Sequence, residues 1–302
     1  MGALEFSLPV SVNLVSDRIG VELDRQSSNT LWVTMKQDIT TNSHNFSLPL
    51  LHDFRDIIRA IKVNSGDWLD KGELVPIHYA VMKSEHPDYF NLGGDLKHFR
   101  NCIRKRDKKS LYDYSKLCLD IMFDWATSSS QVMTTIALVQ GKALGGGFET
   151  ALSADYLIAE EHSTFGFPEI MFGLFPCSGG MSLLARRVGV YQAERLMTTP
   201  RIYSATELKE MGIVDEICPK GDGERAAEKF INAHAKRRPA RLMLQRARHR
   251  LAPLDYTELS TVVDEWVDLA LALSDEELRV MDMLIMMQQG PQSQPAAALT
   301  NP

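Results

Sequence analysis

At 302 residues, with 44% hydrophobic and 24% charged side chains, the chain can bury a full core without disulfides or a structural metal. A net charge of −6 excludes a general nucleic-acid binder, because phosphate contacts need a basic surface. No apolar stretch is long enough for a membrane helix, residues 1–15 carry no leader pattern, and Cys102, Cys118, Cys177 and Cys218 form neither CxxC pairs nor a disulfide framework. The expectation is a soluble cytoplasmic protein with reduced thiols, no metal and no cofactor.

Residues 1–18 have weak periodicity and read as an N-terminal arm. Residues 19–36 read as two short strands around a polar turn. Apolar residues at Leu50, Leu51, Phe54, Ile57, Ile58 and Ile61 recur at helical spacing, so 48–61 is a helix. The β-rich run 73–82 reads as one buried strand, and 96–127 as one long helix or two with a bend. Residues 134–144 form another strand-like run, and 155–167 a strand, a turn and a strand. Everything after is helical: 179–189, 190–198, 204–211, 223–236, 238–251, 255–273 and 275–289. Residues 290–302, rich in Pro, Gln and Ala, are an expected disordered tail. Strands alternating with helices, then helices alone, give an α/β core over 19–220 with a helical appendage over 221–289. No solenoid-type repeat is visible.

Two runs are strongly basic: 100–109 and 236–250. Each is either a solvated helix face or a docking patch for phosphate or an acidic partner.

The chemistry concentrates in residues 141–180. A strand ends near Leu144, and a helix begins within Gly145-Gly146-Gly147. Glycines let backbone approach a ligand, and the first amides of a helix lack intrahelical acceptors, so this end suits a developing oxyanion. Glu149 lies in the first turns of that helix, and Glu169 follows after Pro168 in a loop-like context. Two carboxylates near one oxyanion site can divide acid and base work. A glycine triplet before a helix is also an ordinary tight turn, and a first-turn Glu an ordinary dipole partner. The segment 91–96, Asn-Leu-Gly-Gly-Asp-Leu, repeats the strand–glycine–helix pattern and supplies a second amide.

These motifs, ALGGGFE, GFPE, FPCSGG and SATELKEMGIVDEI, resemble the enoyl-CoA hydratase (crotonase) superfamily in order and spacing from about residue 20 to 220. The resemblance implies a spiral of ββα units with C-terminal helices that build a homotrimer or hexamer. It implies an oxyanion hole from the amides of Gly94 and Gly146, and a catalytic pair Glu149 and Glu169. Gly93, Gly145, Gly147, Met171 and Trp266 are the candidate substrate-binding residues. FNLGGDL, FGFPEIMFGLFP and the C-terminal VVDEWVDLALALSDEELRVMDMLIMMQQ are similar to the diffusible-signal-factor synthases. In those enzymes one site dehydrates a 3-hydroxyacyl carrier protein and hydrolyses the thioester, releasing a cis-2-unsaturated fatty acid signal. They also bind the receiver domain of a sensor kinase.

That resemblance implies Glu169 at the C2 proton and Glu149 at the C3 hydroxyl or water. Lys83-Ser84 replaces a usual Thr-Gly, a departure that suits acyl carrier protein over CoA as the carrier, and the acidic carrier protein would land near Arg104, Lys105 and Arg106. Cys177 departs from a small residue; as a nucleophile it needs a base, with His162 nearest in sequence, and a packing thiol is the plainer reading. Met281, Met283, Met286 and Met287 are core, interface or acyl-tunnel residues. The alternatives are an ordinary enoyl-CoA hydratase or isomerase, and a non-catalytic scaffold on the same fold.

Overall fold

The computed structural model describes residues 16–36, 44–127 and 131–288. Most of the expected arm and the expected tail lie outside those residues.

Strands β1 (Ile19–Asp24) and β2 (Thr30–Met35) form the expected hairpin, and α1 (Leu48–Val63) starts at Ser47, whose side chain caps Leu50 N–H. The run 73–82 is not one strand. Its first half, β4 (Glu73–Pro76), pairs antiparallel with β3 (Asp67–Asp70) in a mostly exposed ribbon. Its second half belongs to β5 (Tyr79–Ser84), almost wholly buried. Pro76 lacks an N–H, which favours a break there.

The core is built from a repeated path. Strand β5 is followed by β6 (Tyr89–Asn91) and helices α2 (Leu96–Lys105) and α3 (Lys108–Thr127). Strand β7 (Thr134–Val139) is followed by β8 (Lys142–Leu144) and α4 (Gly146–Ser153). Strand β9 (Tyr156–Glu160) is followed by β10 (Thr164–Gly166), a 3₁₀ turn over Glu169–Phe172, α5 (Gly180–Val188) and α6 (Val190–Thr198). The first strand of each unit joins one sheet and the second joins another. The six-stranded sheet runs β1-β2-β5-β7-β9-β12 and the four-stranded sheet β11-β10-β8-β6. Thus 134–144, expected as one strand, divides between sheets at Gly141.

Between β10 and the C-terminal helices lie β11 (Tyr203–Ser204), α7 (Ala205–Glu210) and β12 (Glu216–Cys218), two strands within a stretch expected to be helical apart from its loops. Helix α7 starts on a capping box between Ser204 and Glu207. The turns between paired strands stack through the backbone. Lys142 N–H donates to Asp88 O, and Thr164 N–H to Gly141 O.

The larger sheet is apolar on both faces, which explains its unbroken hydrophobic strands. Tyr79, Val81, Ile136, Leu138 and Ile158 face Ala227 and Ile231 of α8 (Gly223–Ala235). Ala80, Met82, Ala137, Val139 and Ala159 face the main core. Beyond α9 (Arg238–Leu251), helices α10 (Tyr256–Leu271) and α11 (Asp275–Gln288) make up the rest of the expected C-terminal helical region and pack onto the core. Leu259, Val263, Trp266, Val267 and Met281 belong to the same hydrophobic core as the strands.

Gly141 fixes the β7–β8 turn at φ +83°, where a Cβ would overlap the backbone of Asp88. Gly141→Ala therefore combines left-handed strain with overpacking and should cost about 2–4 kcal/mol, read as a lower urea midpoint at unchanged slope.

Candidate active site

Strand β6 ends in Asn91, whose Oδ1 accepts Gly93 N–H at 2.8 Å and bends the chain into its first glycine turn. Asp95 caps α2 by accepting His98 N–H at 3.0 Å. Tyr114 of α3 clamps this turn from below: its hydroxyl accepts Asp95 N–H at 2.9 Å and donates to Phe46 O. A Cβ on Gly94 would overlap the ring of Phe99.

The second turn follows β8. Gly145, at φ +52°, caps α4 and receives Glu149 N–H on its carbonyl at 3.0 Å. Gly146 is the first residue of α4, so its amide has no intrahelical acceptor. The two turns abut. A Cβ on Gly93 would lie 2.9 Å from Gly146 N, and one on Gly146 would lie 3.6 Å from Gly94 N. Gly94 and Gly146 thus stand across one another, the arrangement two oxyanion donors require.

Beside them lies a cavity of about 210 Å³. Gly94, Gly145, Gly146, Glu149 and Glu169 line it, with apolar side chains from α1, α2, α3, α10 and α11. Glu149 is 2% exposed, and its Oε1 accepts Gly180 N–H at 2.8 Å and Ser178 N–H at 2.9 Å. The 3₁₀ turn carries Glu169, whose Oε1 fills the space a Cβ on Gly145 would take. Its Oε2 is buried with no hydrogen-bond partner.

Burial raises both carboxyls. Glu149 is pushed up to about 7, the Gly180 and Ser178 amides working against the rise. Glu169 is pushed up to about 8, first by burial and then by the neighbouring Glu149 charge. Near neutrality the pair therefore holds one proton on one carboxyl and a charge on the other, the division that coupled acid–base work needs.

Of the remaining expected residues, Trp266 and Gly145 line the cavity. Gly93 and Gly147 do not; they sit behind it, where Gly147 lets α4 press on the carbonyl of Asn91. Met171 is 50% exposed and lies outside the lining. Met281 is core, Met283 and Met286 are exposed, the side chain of Met287 lies outside those described, and among the described α11 side chains Leu284 lines the cavity. Cys177 does line the cavity, but burial and the Glu149 charge push its thiol well above the ordinary value. His162 is turned to Pro87 O at 3.0 Å and to Glu160. Sequence reasoning missed Asn91, Tyr114 and the Ser178 and Gly180 amides as positioning groups; the FPCSGG motif was the available signal for the last two. Among the described residues no cluster fit for a metal occurs.

Residues 76–264 match the protein family described as enoyl-CoA hydratase/isomerase. The chain is 34% identical over 171 residues to a probable enoyl-CoA hydratase of Rhizobium meliloti (strain 1021), covering 55% of this chain and 65% of that protein. The first curated relatives are matched over less than two thirds of their own length. In structure it is similar to an enoyl-CoA hydratase from Bacillus halodurans, with TM-score 0.70 at 21% identity over 88% of this chain and 99% of that one. The human mitochondrial delta3-delta2-enoyl-CoA isomerase gives TM-score 0.69 at 19% identity over 89% and 97%. A hydratase and an isomerase are thus equally good matches, so shared architecture does not separate the two reactions.

Raised carboxyl pKa values have a definite sign in stability. The favourable term is complete below the ordinary value of 4.5 and is lost as pH rises through about 7 and then about 8, when both buried groups must ionise. Glu169→Gln should therefore melt at least about 2 °C above the parent protein at roughly pH 9 and near it at roughly pH 5, checked by calorimetry. Difference infrared spectra should show the protonated-carboxyl band persisting to neutral pH and losing its upper step in that variant.

Proposed function

The chain belongs to the enoyl-CoA hydratase/isomerase family, and we propose that it adds or removes water across C2–C3 of an acyl thioester. The observation that carries this reading is the pair of buried carboxyls, at about 7 and about 8, beside two abutting glycine turns. In the dehydration direction the ionised carboxylate takes a C2 proton, and the electrons move onto the thioester oxygen. The Gly94 and Gly146 amides hold that oxyanion, a contact worth roughly 3–4 kcal/mol of barrier per donor. The protonated carboxyl then gives its proton to the C3 hydroxyl, which leaves as water. The higher value at Glu169 leaves the resting pair with its proton there and its charge on Glu149. Glu169, whose Oε2 has no competing donor, therefore takes the C2 proton from the arrangement in which the shared proton has passed to Glu149. Glu149, fixed by two amides, suits the C3 hydroxyl or water. An isomerase shuttles a proton between carbons and does not require the second group.

A finer reading, dehydration of a 3-hydroxyacyl carrier protein followed by thioester hydrolysis to a free cis-2-enoic acid, has its own support. Arg104, Lys105 and Arg106 stand exposed at the end of α2, whose first residues line the cavity. Their neighbours Arg100, Lys108 and Lys109 are paired with Asp282, Asp268 and Asp113. Lys83, which takes the place of a usual Thr, is committed to Glu224. Water attack on the thioester would use the same oxyanion donors. Exposed Val190, Tyr191, Leu244 and Leu251 give further copies of the chain apolar surface to cover, as a trimer requires.

Glu149→Gln and Glu169→Gln should each lower kcat on a medium-chain 3-hydroxyacyl thioester by about 10²–10⁴-fold with the fold intact by circular dichroism. A parent protein inert on CoA and carrier-protein thioesters alike would refute the reading. Bound enoyl product by mass spectrometry marks hydratase chemistry, and free unsaturated acid marks the finer reading. Reversing Arg104, Lys105 and Arg106 to Glu should raise KM for the carrier-protein substrate by about tenfold at low salt and spare small thioesters.

A further inference from the structure

The proposed reaction leaves Cys177 unused. This residue lines the cavity, packs against the main core and keeps part of its surface accessible. A thiol so placed needs a base before it attacks an electrophile. His162, its nearest histidine in sequence, is committed to Pro87 O and Glu160. The base that the fold supplies is Glu149.

One stretch of backbone holds thiol and carboxylate together. The amide directly after Cys177, that of Ser178, donates to Glu149 Oε1 at 2.9 Å. By standard bond lengths the Cys177 Cα therefore lies within about 5.5 Å of that oxygen. Oε1 is occupied by this amide and that of Gly180, while Oε2 takes no hydrogen bond from a described residue. Burial first, then the Glu149, Cys118 and Glu169 groups, hold the Cys177 sulfur as S–H. Cys118, the other cavity thiol, is raised by burial and by Glu149 without Glu169, and shares a hydrogen bond with Tyr114. Cys177 is thus the thiol within the field of both carboxyls.

The resting pair is already arranged for attack at C3. With the charge on Glu149 and the proton on Glu169, one group activates a nucleophile and the other protonates C2. Water is one such nucleophile, and a thiol beside Glu149 is another. A 2-enoyl thioester seated against the glycine turns is electrophilic at C3 through conjugation with its carbonyl.

We propose that Cys177 is a modification site, at which its thiol adds across C2=C3 of a bound 2-enoyl thioester. The inference rests on the acyl-thioester reading of the same cavity. The S–H proton passes to Glu149, and the sulfur electron pair forms the S–C3 bond. The C2=C3 pair shifts toward C1, and charge collects on the thioester oxygen beside the Gly94 and Gly146 amides. That charge returns to C2 as Glu169 gives up its proton. Nothing is oxidised or reduced, no group leaves, and the two carboxyls still hold one proton between them. Run backwards, the same steps release the enoyl thioester. The adduct is a reversible trap that fills as enoyl product accumulates.

The test incubates the full chain with trans-2-octenoyl-pantetheine, quenches in acid and reads the intact protein by mass spectrometry. One whole probe mass per chain is expected, and peptide mapping should place it on Cys177. Octanoyl-pantetheine, which lacks the double bond, should leave no label. Cys177→Ala should abolish the label, and mapping on the parent chain keeps the test independent of that variant's folding. Glu149→Gln should slow labelling by about 10²-fold, a loss that adventitious alkylation of an accessible thiol would not show. A label on Cys118, a label on no cysteine, or equal rates in Glu149→Gln and parent overturns the proposal. Hydration of the probe, followed in the same samples, keeps the two ideas apart. A hydrated but unattached probe counts against the thiol alone, and an attached but unhydrated probe counts against the proposed reaction alone.

Discussion

Where Gly93 meets Gly146, two strand–helix turns approach more closely than any side chain would allow. That approach requires glycine at position 93, and it also requires the sheets to deliver the turns to one place. Stacked turns at Asp88, Gly141 and Ser163 hold β6, β8 and β10 in step, so the helices that follow start side by side. Tyr114 then pins one turn to the body of the protein and Glu169 fills the space beside the other. The site is a property of backbone spacing first and of side-chain chemistry second.

The carboxyls show what such a chamber does to charge. Both are taken out of water, and burial is the leading cause of both shifts. Their surroundings still differ: one carboxyl receives two amide hydrogen bonds, whereas the other has a bare oxygen. Unequal solvation of chemically identical groups is how a protein assigns different tasks to two glutamates. The cost of keeping them dry is carried by a core that extends through both sheets and the C-terminal helices.

Much of this was legible beforehand. The helices from residue 179 onward follow from apolar spacing, and the glycine runs located both turns of the site. Glu149 and Glu169 were found from their positions beside those runs and from the family resemblance. What was hidden is physically coherent. The ββα repeat escaped notice because the second strand of each unit is only three residues long, too short for alternation to register. The division of 73–82 was signalled by Pro76 but masked by the apolar residues on either side. Positioning by Asn91 and Tyr114 depends on contacts across 2 and 19 residues, and only the second is beyond local pattern. Met171 was misplaced because a 3₁₀ turn rotates its side chain outward, away from the face that carries Glu169.

The roof of the cavity has a consequence for how the protein is made. Trp266 and Leu284 line the chamber, and Asp282 ties α11 to Arg100 of α2. A ribosome releases the glycine turns and both glutamates well before it releases that last helix. Domains fold progressively as the chain emerges. The acid–base pair is therefore synthesised about a hundred residues ahead of the wall that completes its surroundings, with the last wall residue at position 284 and the second glutamate at position 169. Burial is the leading cause of both raised values, so a chamber without that wall has less of what raises them. A chain that has not yet placed α11 holds the same two glutamates in a different dielectric, because the chamber around them is still open on that side.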